Sequence, residues 1–269
     1  MPFKDQLGQQ FEELLPKRVV SLVPSITETL FAFGVGSTII GVTKYCVYPP
    51  QATQPPRVIC GGTKNPDIKT ILSLRPDLVI CNREENQEKH VYALKEAGLN
   101  VWVNYPRTID EGLRLIDNIV EIFGLQHLDK IFQITNEINN RIGLIKRKTA
   151  RLSKKKTVFC PIWKRPWMTI SRDTYIHDFL SFAGLENVAA DFRYSRYPEV
   201  DLNEILKMNP DLVLLPDEPY RFTENDAAEF RPKRQVFLID GTYISWYGVR
   251  MASGLEYVHN ISYSQSTYS

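Results

Sequence analysis

Apolar positions along this chain follow two rhythms. In the first half, short β-branched runs ("RVVSLV", "TIIGVT", "RVIC", "LVIC", "NVWVNY") alternate with segments whose apolar residues recur every three or four positions. The runs predict strands and the spaced segments predict helices. "SITETLFAFGVG" predicts a helix capped by Ser25 and ending near Gly34 and Gly36. "NQEKHVYALKEAGL" predicts another, ending at Gly98. The second half repeats this grammar, with strands at "KKTVFCPIW", "LVLLP" and "QVFLID" and helices at "TYIHDFLSFAGL" and "YGVRMASGLEYVHNI". The polar tail "SYSQSTYS" predicts a frayed end.

Two stretches state the pattern almost identically. "DIKTILSLRPDLVI" (67–80) and "DLNEILKMNPDLVL" (201–214) share seven of fourteen positions, and their starts lie 134 residues apart. Each reads as a helix with one apolar face, a stop at the proline and a strand buried on both sides. Between the halves, Leu128, Ile131, Thr135, Ile138, Ile142, Ile145, Thr149 and Leu152 step by three and four residues. That spacing keeps one stripe on one side of a long helix for about seven turns. Strands alternating with helices imply parallel sheets covered on both faces. The predicted fold is therefore α/β: two similar lobes with mostly parallel sheets, joined by one long α-helix. The boundaries are an N-terminal lobe at 18–124, a connecting helix at 125–153 and a C-terminal lobe at 154–261.

Composition narrows the function classes. The chain has 269 residues, 43% of them hydrophobic and 24% charged, enough for sizeable cores. A net charge of +2 gives no global field for nucleic acid. No apolar run approaches the roughly 20 residues that span a bilayer. The first residues show neither a secretory leader nor a lipoprotein-type Cys, so a cytoplasmic placement is expected. The alternative is a periplasmic or surface-anchored protein whose natural chain starts earlier. Cys46, Cys60, Cys81 and Cys160 match no zinc spacing and no disulfide framework, which leaves reduced thiols as the default. G-x-S-x-G, Walker and G-x-G-x-x-G patterns are missing, so no catalytic residue is assigned.

The opening "RVVSLVPSITETLFAFGVGSTIIGVTKYCVYPPQA" resembles that of the class III substrate-binding proteins of ABC importers. This is the helical-backbone metal receptor group, which includes vitamin B12 and ferric-siderophore receptors. The matching parts are strand-Pro-Ser at the first helix start, Gly41-Val42, Tyr45, "YPPQA" at 48–52 and the repeated helix-turn-strand unit. The resemblance runs from about Arg18 to Ile261. It implies a rigid helix between the lobes, a ligand cleft between them and little hinge motion. It also implies a monomeric binding protein with no intrinsic cofactor, holding cobalamin or an iron-siderophore or haem-like chelate, with an ABC permease as partner. Receptors of this kind present a docking Glu on each lobe. The corresponding positions fall near Lys69 and Ser245, neither acidic, with Asp67 and Glu204 close by. A chelatase-like or chelate-processing enzyme on the same scaffold, and a sensor or scaffold, remain as alternatives.

Ligands of open parallel sheets bind beyond the carboxyl ends of the strands. The loops there supply Ser25, Tyr45, Lys64 and Arg83 from the first lobe. From the second they supply Trp163, Arg165, Trp167, Tyr220, Arg221, Tyr243 and Trp246. Aromatic faces with Arg and Lys suit large flat or anionic chelates. The competing reading packs Trp163 and Trp167 beneath loops and leaves Lys164 and Arg165 solvated. The four histidines (90, 127, 177, 259) fall on predicted helices, away from these loops, which argues against a bare metal ion. All four cysteines fall at predicted strand ends, where thiolates can hold a soft metal. A buried strand end also favours Cys simply as a small apolar residue.

Overall fold

The computed structural model describes residues 3–11, 13–192, 195–231 and 233–263, which form two compact units. The first holds Met1–Pro106, Glu111–Glu137 and Tyr247–Val249; the second holds Arg107–Asp110, Ile138–Trp246 and Arg250–Ser269. The polar tail predicted to fray lies, from residue 264 on, outside the described residues.

The first unit opens with an antiparallel hairpin, β1 (Phe3–Lys4) and β2 (Gln10–Phe11). Then follow β3 (Val19–Ser21), α1 (Pro24–Ala32), β4 (Ile39–Val42), β5 (Val58–Ile59), α2 (Ile68–Leu74) and β6 (Leu78–Asn82). The unit continues with α3 (Glu88–Glu96), β7 (Val101–Asn104) and α4 (Ile109–Ile122). Its five strands are parallel, in the order β5-β4-β3-β6-β7. β6, near the centre, is buried at every position, as its unbroken apolar run requires. The periodicity does not predict the hairpin, because two-residue strands are too short to show a period. It lies along β7, where the Gln6 amide donates to the Val103 carbonyl and the Val103 amide donates to the Asp5 carboxylate. Phe3 sits edge-on to Trp102 at 6.0 Å between ring centres.

α5 (Asp129–Thr149) realises the middle of the long stripe, with Ile131, Ile138, Ile142 and Ile145 buried along it, while Leu128, half-exposed, and Leu152 fall outside the helix. The division between the units falls within this helix. The second unit then contains β8 (Lys156–Phe159), β9 (Pro161–Trp163), β10 (Met168–Thr169), α6 (Tyr175–Phe182), β11 (Leu185–Asn187) and α7 (Leu202–Lys207). It ends with β12 (Leu212–Pro216), α8 (Glu224–Ala228), β13 (Gln235–Ile239), α9 (Thr242–Ser245) and α10 (Met251–Tyr263). Strands β11-β8-β12-β13 form a parallel sheet, and β9 with β10 an antiparallel hairpin. The single strand expected over "KKTVFCPIW" thus breaks at Cys160, and its two parts join different sheets.

The repeat is explained residue by residue. Asp67 caps α2 by accepting from the Thr70 amide, and Asp201 caps α7 by accepting from the Asn203 amide. Ile71 and Ile205 are fully buried. Past each helix, Arg75 and Asn209 both take the left-handed conformation, at φ 47° and 50°. The second Asp of each copy then ties down the start of a neighbouring strand. Asp77 accepts from the Lys17 and Arg18 amides just before β3, and Asp211 from the amide and hydroxyl of Thr157 in β8. In each sheet the strand so tied lies beside the one the repeat leads into.

Two local expectations are corrected. Ser25 does not cap α1: the cap position is Val23, with no side-chain bond, and Pro24 opens the helix. Proline suits that place because its missing N–H is not needed there and its φ is already helical. His127 lies in the turn between α4 and α5, not on a helix.

Candidate functional site

In the first unit, asparagines close two neighbouring strands, Asn82 on β6 and Asn104 on β7. Both are buried, and Asn82 donates to the Asn104 side-chain oxygen at 3.0 Å. The Asn82 side-chain oxygen accepts from the amides of Glu84 and Glu85, and Asn86 turns back to the Asn82 amide and to the Thr63 carbonyl. The Tyr247 hydroxyl donates toward Glu85 at 3.2 Å and Asn104 at 3.3 Å. Burial, with the Glu85 charge next in size, pushes that phenol far above its ordinary range. A buried network so fully paired is rigid, so the 82–86 loop is held in one shape.

The predicted residues of this unit sit around that network. Ser25 is buried in the first turn of α1, beside the Tyr247 phenol. Lys64 donates to the Glu84 carbonyl. Arg83 is exposed, with its guanidinium 5.5 Å from the Tyr105 ring centre. Tyr45 is 51% exposed, and the Lys44 ammonium lies 5.1 Å from its ring centre.

In the second unit, Trp163, Trp167 and Tyr220 converge on Phe222 and Phe230. Trp163 meets Tyr220 edge-on at 5.5 Å, Tyr220 meets Phe222 at 4.7 Å, and Phe222 stacks on Trp167 at 5.8 Å. Phe230 completes the cluster, edge-on to Trp167. Trp163 remains 43% exposed at its outer end. Lys164 is not solvated, contrary to the competing expectation. Its ammonium donates to Asp226 at 2.5 Å and to Glu229, and lies over Trp167. Burial alone would lower its pKa, but those two bonds outweigh it and raise it. Asp226 also closes a capping box with Thr223 at the start of α8, so the ion pair anchors the hairpin that carries Trp163. Arg165, at φ 68°, and Arg221 are exposed.

A second cluster forms where β12 and β13 end. Trp246 is buried, not open to a ligand, and its indole N–H donates to Glu218 at 3.0 Å, as does the Ser245 hydroxyl. Burial raises the Glu218 carboxyl above its ordinary range, and these two bonds offset only part of the rise. Tyr243 stacks on Tyr257 at 4.9 Å, and the Arg250 guanidinium lies against both Tyr243 and Trp246. From the sequence, Glu218 is only one member of the loop that follows β12, and neither Arg250 nor Asn104 stands out as a site residue. The one available signal was an Asn closing each of the apolar runs "LVICN" and "VWVN".

The cysteines are placed as core residues. Cys60 and Cys81 belong to the first unit's hydrophobic core, and Cys46 is held by the hydroxyls of Thr27 and Thr43. Burial pushes the Cys60 thiol up to about 11 and those of Cys81 and Cys160 up to about 12, so none is a ready thiolate. Among the described residues, no group of three or more His, Cys, Asp and Glu side chains is arranged to hold a metal ion. A concavity of about 560 Å³ along edge strand β11 contains none of the predicted site residues.

Comparison with known proteins agrees with this architecture. An ABC transporter substrate-binding lipoprotein of Bacillus subtilis (strain 168) is 30% identical over 90% of this chain and 78% of its own length. A vitamin B12-binding protein of Yersinia pestis (strain Pestoides F) is 26% identical over 74% of this chain and 69% of its own. The periplasmic heme-binding protein RhuT of Roseiflexus sp. RS-1 shares the fold, with a TM-score of 0.76 at 20% identity. That likeness covers 92% of this chain and 98% of the other. The Bacillus subtilis relative is a lipoprotein, which overturns the expected cytoplasmic placement and points outside the cytoplasm. That expectation rested on the composition of the first residues, which is no guide to compartment. The family model described as periplasmic binding protein matches residues 19–240, and the chain belongs to that family, as a substrate-binding protein of the ABC importer type.

Proposed function

We propose that this protein captures a large, flat metal chelate, of the cobalamin, haem or ferric-siderophore class, for an ABC permease. The observation that carries the reading is the aromatic cluster of the second unit, with Trp163 held exposed at its outer end by an ion-paired hairpin. Covering the open part of one Trp, on the order of 100 Å² of apolar surface, contributes about 2.5 kcal/mol to binding. The exposed Arg165 and Arg221 of the same unit add charges suited to anionic substituents. The names of the vitamin B12-binding and heme-binding relatives support the same ligand class.

The proposed role is binding rather than catalysis, in keeping with the substrate-binding family. The permease partner is proposed without the usual docking glutamates. Asp67 is used as a helix cap and Ser245 is bonded to Glu218, while Glu204 stands exposed in the first turn of α7.

Tryptophan quenching of the purified protein with cobalamin, cobinamide, haem and ferric siderophores tests the reading. Binding at micromolar concentration or tighter is expected for one of these. Trp163→Ala should weaken it by roughly 10- to 100-fold, in line with the buried area. Trp246→Ala is a poor substitute, since that indole is structural. No binding across the panel rejects the proposal.

A further inference from the structure

The stretch "KRKTARLSKKK" (146–156) places seven cations in eleven residues with no acid among them. The fold adds more to the same place. Strands β8, β12 and β13 are parallel, so their amino ends share one side of the sheet. Lys156 opens β8, Lys207 closes the helix before β12, and Lys233 and Arg234 precede β13. Three contacts draw these segments together. The Arg234 guanidinium donates to the Leu206 carbonyl, Lys155 and Met208 line one concavity, and Leu152 lies against Gly184 beside Tyr263, whose hydroxyl accepts from the Lys156 amide.

Ten cations thus gather at the amino-terminal end of one sheet. Set aside, they leave 23 of the 33 Lys and Arg against 31 Asp and Glu, so the small net charge of +2 conceals a strong segregation. The acids nearby are Asp211, bonded to Thr157 and acted on by the charges of Lys154 and Lys156; Glu256, bonded to Arg141 and acted on by Lys148; Asp191, paired with Arg172; and Glu186 on β11. Among the described residues, Lys146, Arg147, Arg151, Lys154 and Lys155 form no ion pair. The last turn of α5 explains Lys146, Arg147 and Lys148 in part, because cations there complement the helix dipole. It does not explain Arg151 or the lysines beyond the helix.

Two exposed apolar side chains stand within this field. Leu144 is 43% exposed and lies one turn before Lys148 on the same face of α5; Met208 is 47% exposed next to Lys207. A soluble polyanion has no use for them, whereas a bilayer takes the alkyl groups at the acyl boundary and the cations at the headgroups. We propose that this face is a docking surface for an anionic lipid bilayer. The segments that follow the carboxyl ends of β8 and β12, which carry Trp163 and Glu218, lie at the opposite end of this sheet. This inference does not depend on which ligand the protein binds.

Sedimentation of the purified chain with vesicles provides the test. Binding is expected to vesicles of about 30% phosphatidylglycerol in phosphatidylcholine at low salt, with little to phosphatidylcholine alone, and it should fall steeply as salt is raised. The variant Lys146→Gln/Arg147→Gln/Arg151→Gln/Lys154→Gln should lose about fivefold per charge, several hundredfold in all, while keeping a single cooperative melting transition. Leu144→Ser should weaken vesicle binding severalfold and leave heparin binding as it was. The proposal is overturned if the wild type ignores anionic vesicles, or if the fourfold variant binds them equally. It is also overturned if Leu144→Ser has no effect, which would identify the face as a site for soluble polyanions instead.

Discussion

Replacing Asp211 with Ala probes how the repeated segment fixes its sheet. The Asp211 carboxylate accepts from the Thr157 amide at 2.8 Å and the Thr157 hydroxyl at 2.9 Å, and the Asp211 amide donates to that hydroxyl at 2.9 Å. Alanine removes the first two bonds and leaves the third. A hydrogen bond to a charged group contributes about 1.5–3 kcal/mol. Asp211 is exposed, however, so water replaces part of each bond, and the expected loss is about 2 kcal/mol in total. At about 2–4 °C per kcal/mol, the calorimetric midpoint at pH 7 should fall by roughly 4–8 °C. The effect has a defined pH dependence. The Thr157 amide bond, and after it the hydroxyl, hold the Asp211 carboxyl below its ordinary range. Stabilisation from a lowered carboxyl is complete above the unfolded value, near about 4, and is lost as pH falls through the folded value. The gap between wild type and Asp211→Ala should therefore close below about pH 4. A midpoint shift under about 1 °C at pH 7, or a gap that stays constant as the carboxylate is protonated, would refute the reasoning.

Three further outcomes are expected. Burial raises the Glu218 carboxyl, so the folded state holds its proton to higher pH than the unfolded chain does, and stability is lost as pH rises through the folded value. Glu218→Gln keeps an acceptor for Ser245 and Trp246; it should melt higher than wild type at pH 7 and no higher at pH 3.5, and equal midpoints at pH 7 would contradict the burial argument. A Cβ at Gly254 would lie 2.1 Å from the Tyr243 carbonyl oxygen, so Gly254→Ala should lower stability by about 1–3 kcal/mol in urea titrations, and an unchanged midpoint would show that α9 and α10 are looser than described. The four thiols should react with a disulfide reagent at pH 8 only after unfolding, because all are buried and three are pushed to about 11 or 12; rapid labelling of the native protein would contradict that.

Much of the fold was legible because most of the seven identities in the repeat have a local cause. Caps, buried isoleucines and clamping aspartates act over a few residues, and a sequence displays them directly. The stripe of α5 was legible for the same reason: one period persists over five turns or more. The site was less legible, because exposure is decided by partners distant in sequence. Trp163 and Trp246 are indistinguishable on paper. Only the folded chain shows that Glu218 takes the Trp246 indole into the interior while the Lys164 ion pair holds the hairpin of Trp163 in place. The β1–β2 hairpin escaped for a different reason. Its signals are the stacked pair Phe3 and Phe11 and the left-handed Gly8 between them, too sparse to carry a period.

That hairpin bears on how copies of the protein tolerate one another. An outermost strand with free amides and carbonyls invites the same strand of a second molecule to add to it. Here the Val103 amide and carbonyl are already bonded to Asp5 and Gln6, and Trp102 is covered by Phe3. At the other margin, β5 is only two residues long, too short to template an added strand. The first sheet is thus sealed at one side and cut short at the other, and crowding alone gives it no route to fibrous assembly. Peeling away residues 3–11 would open one, which makes this small hairpin the guard of a sheet it barely belongs to.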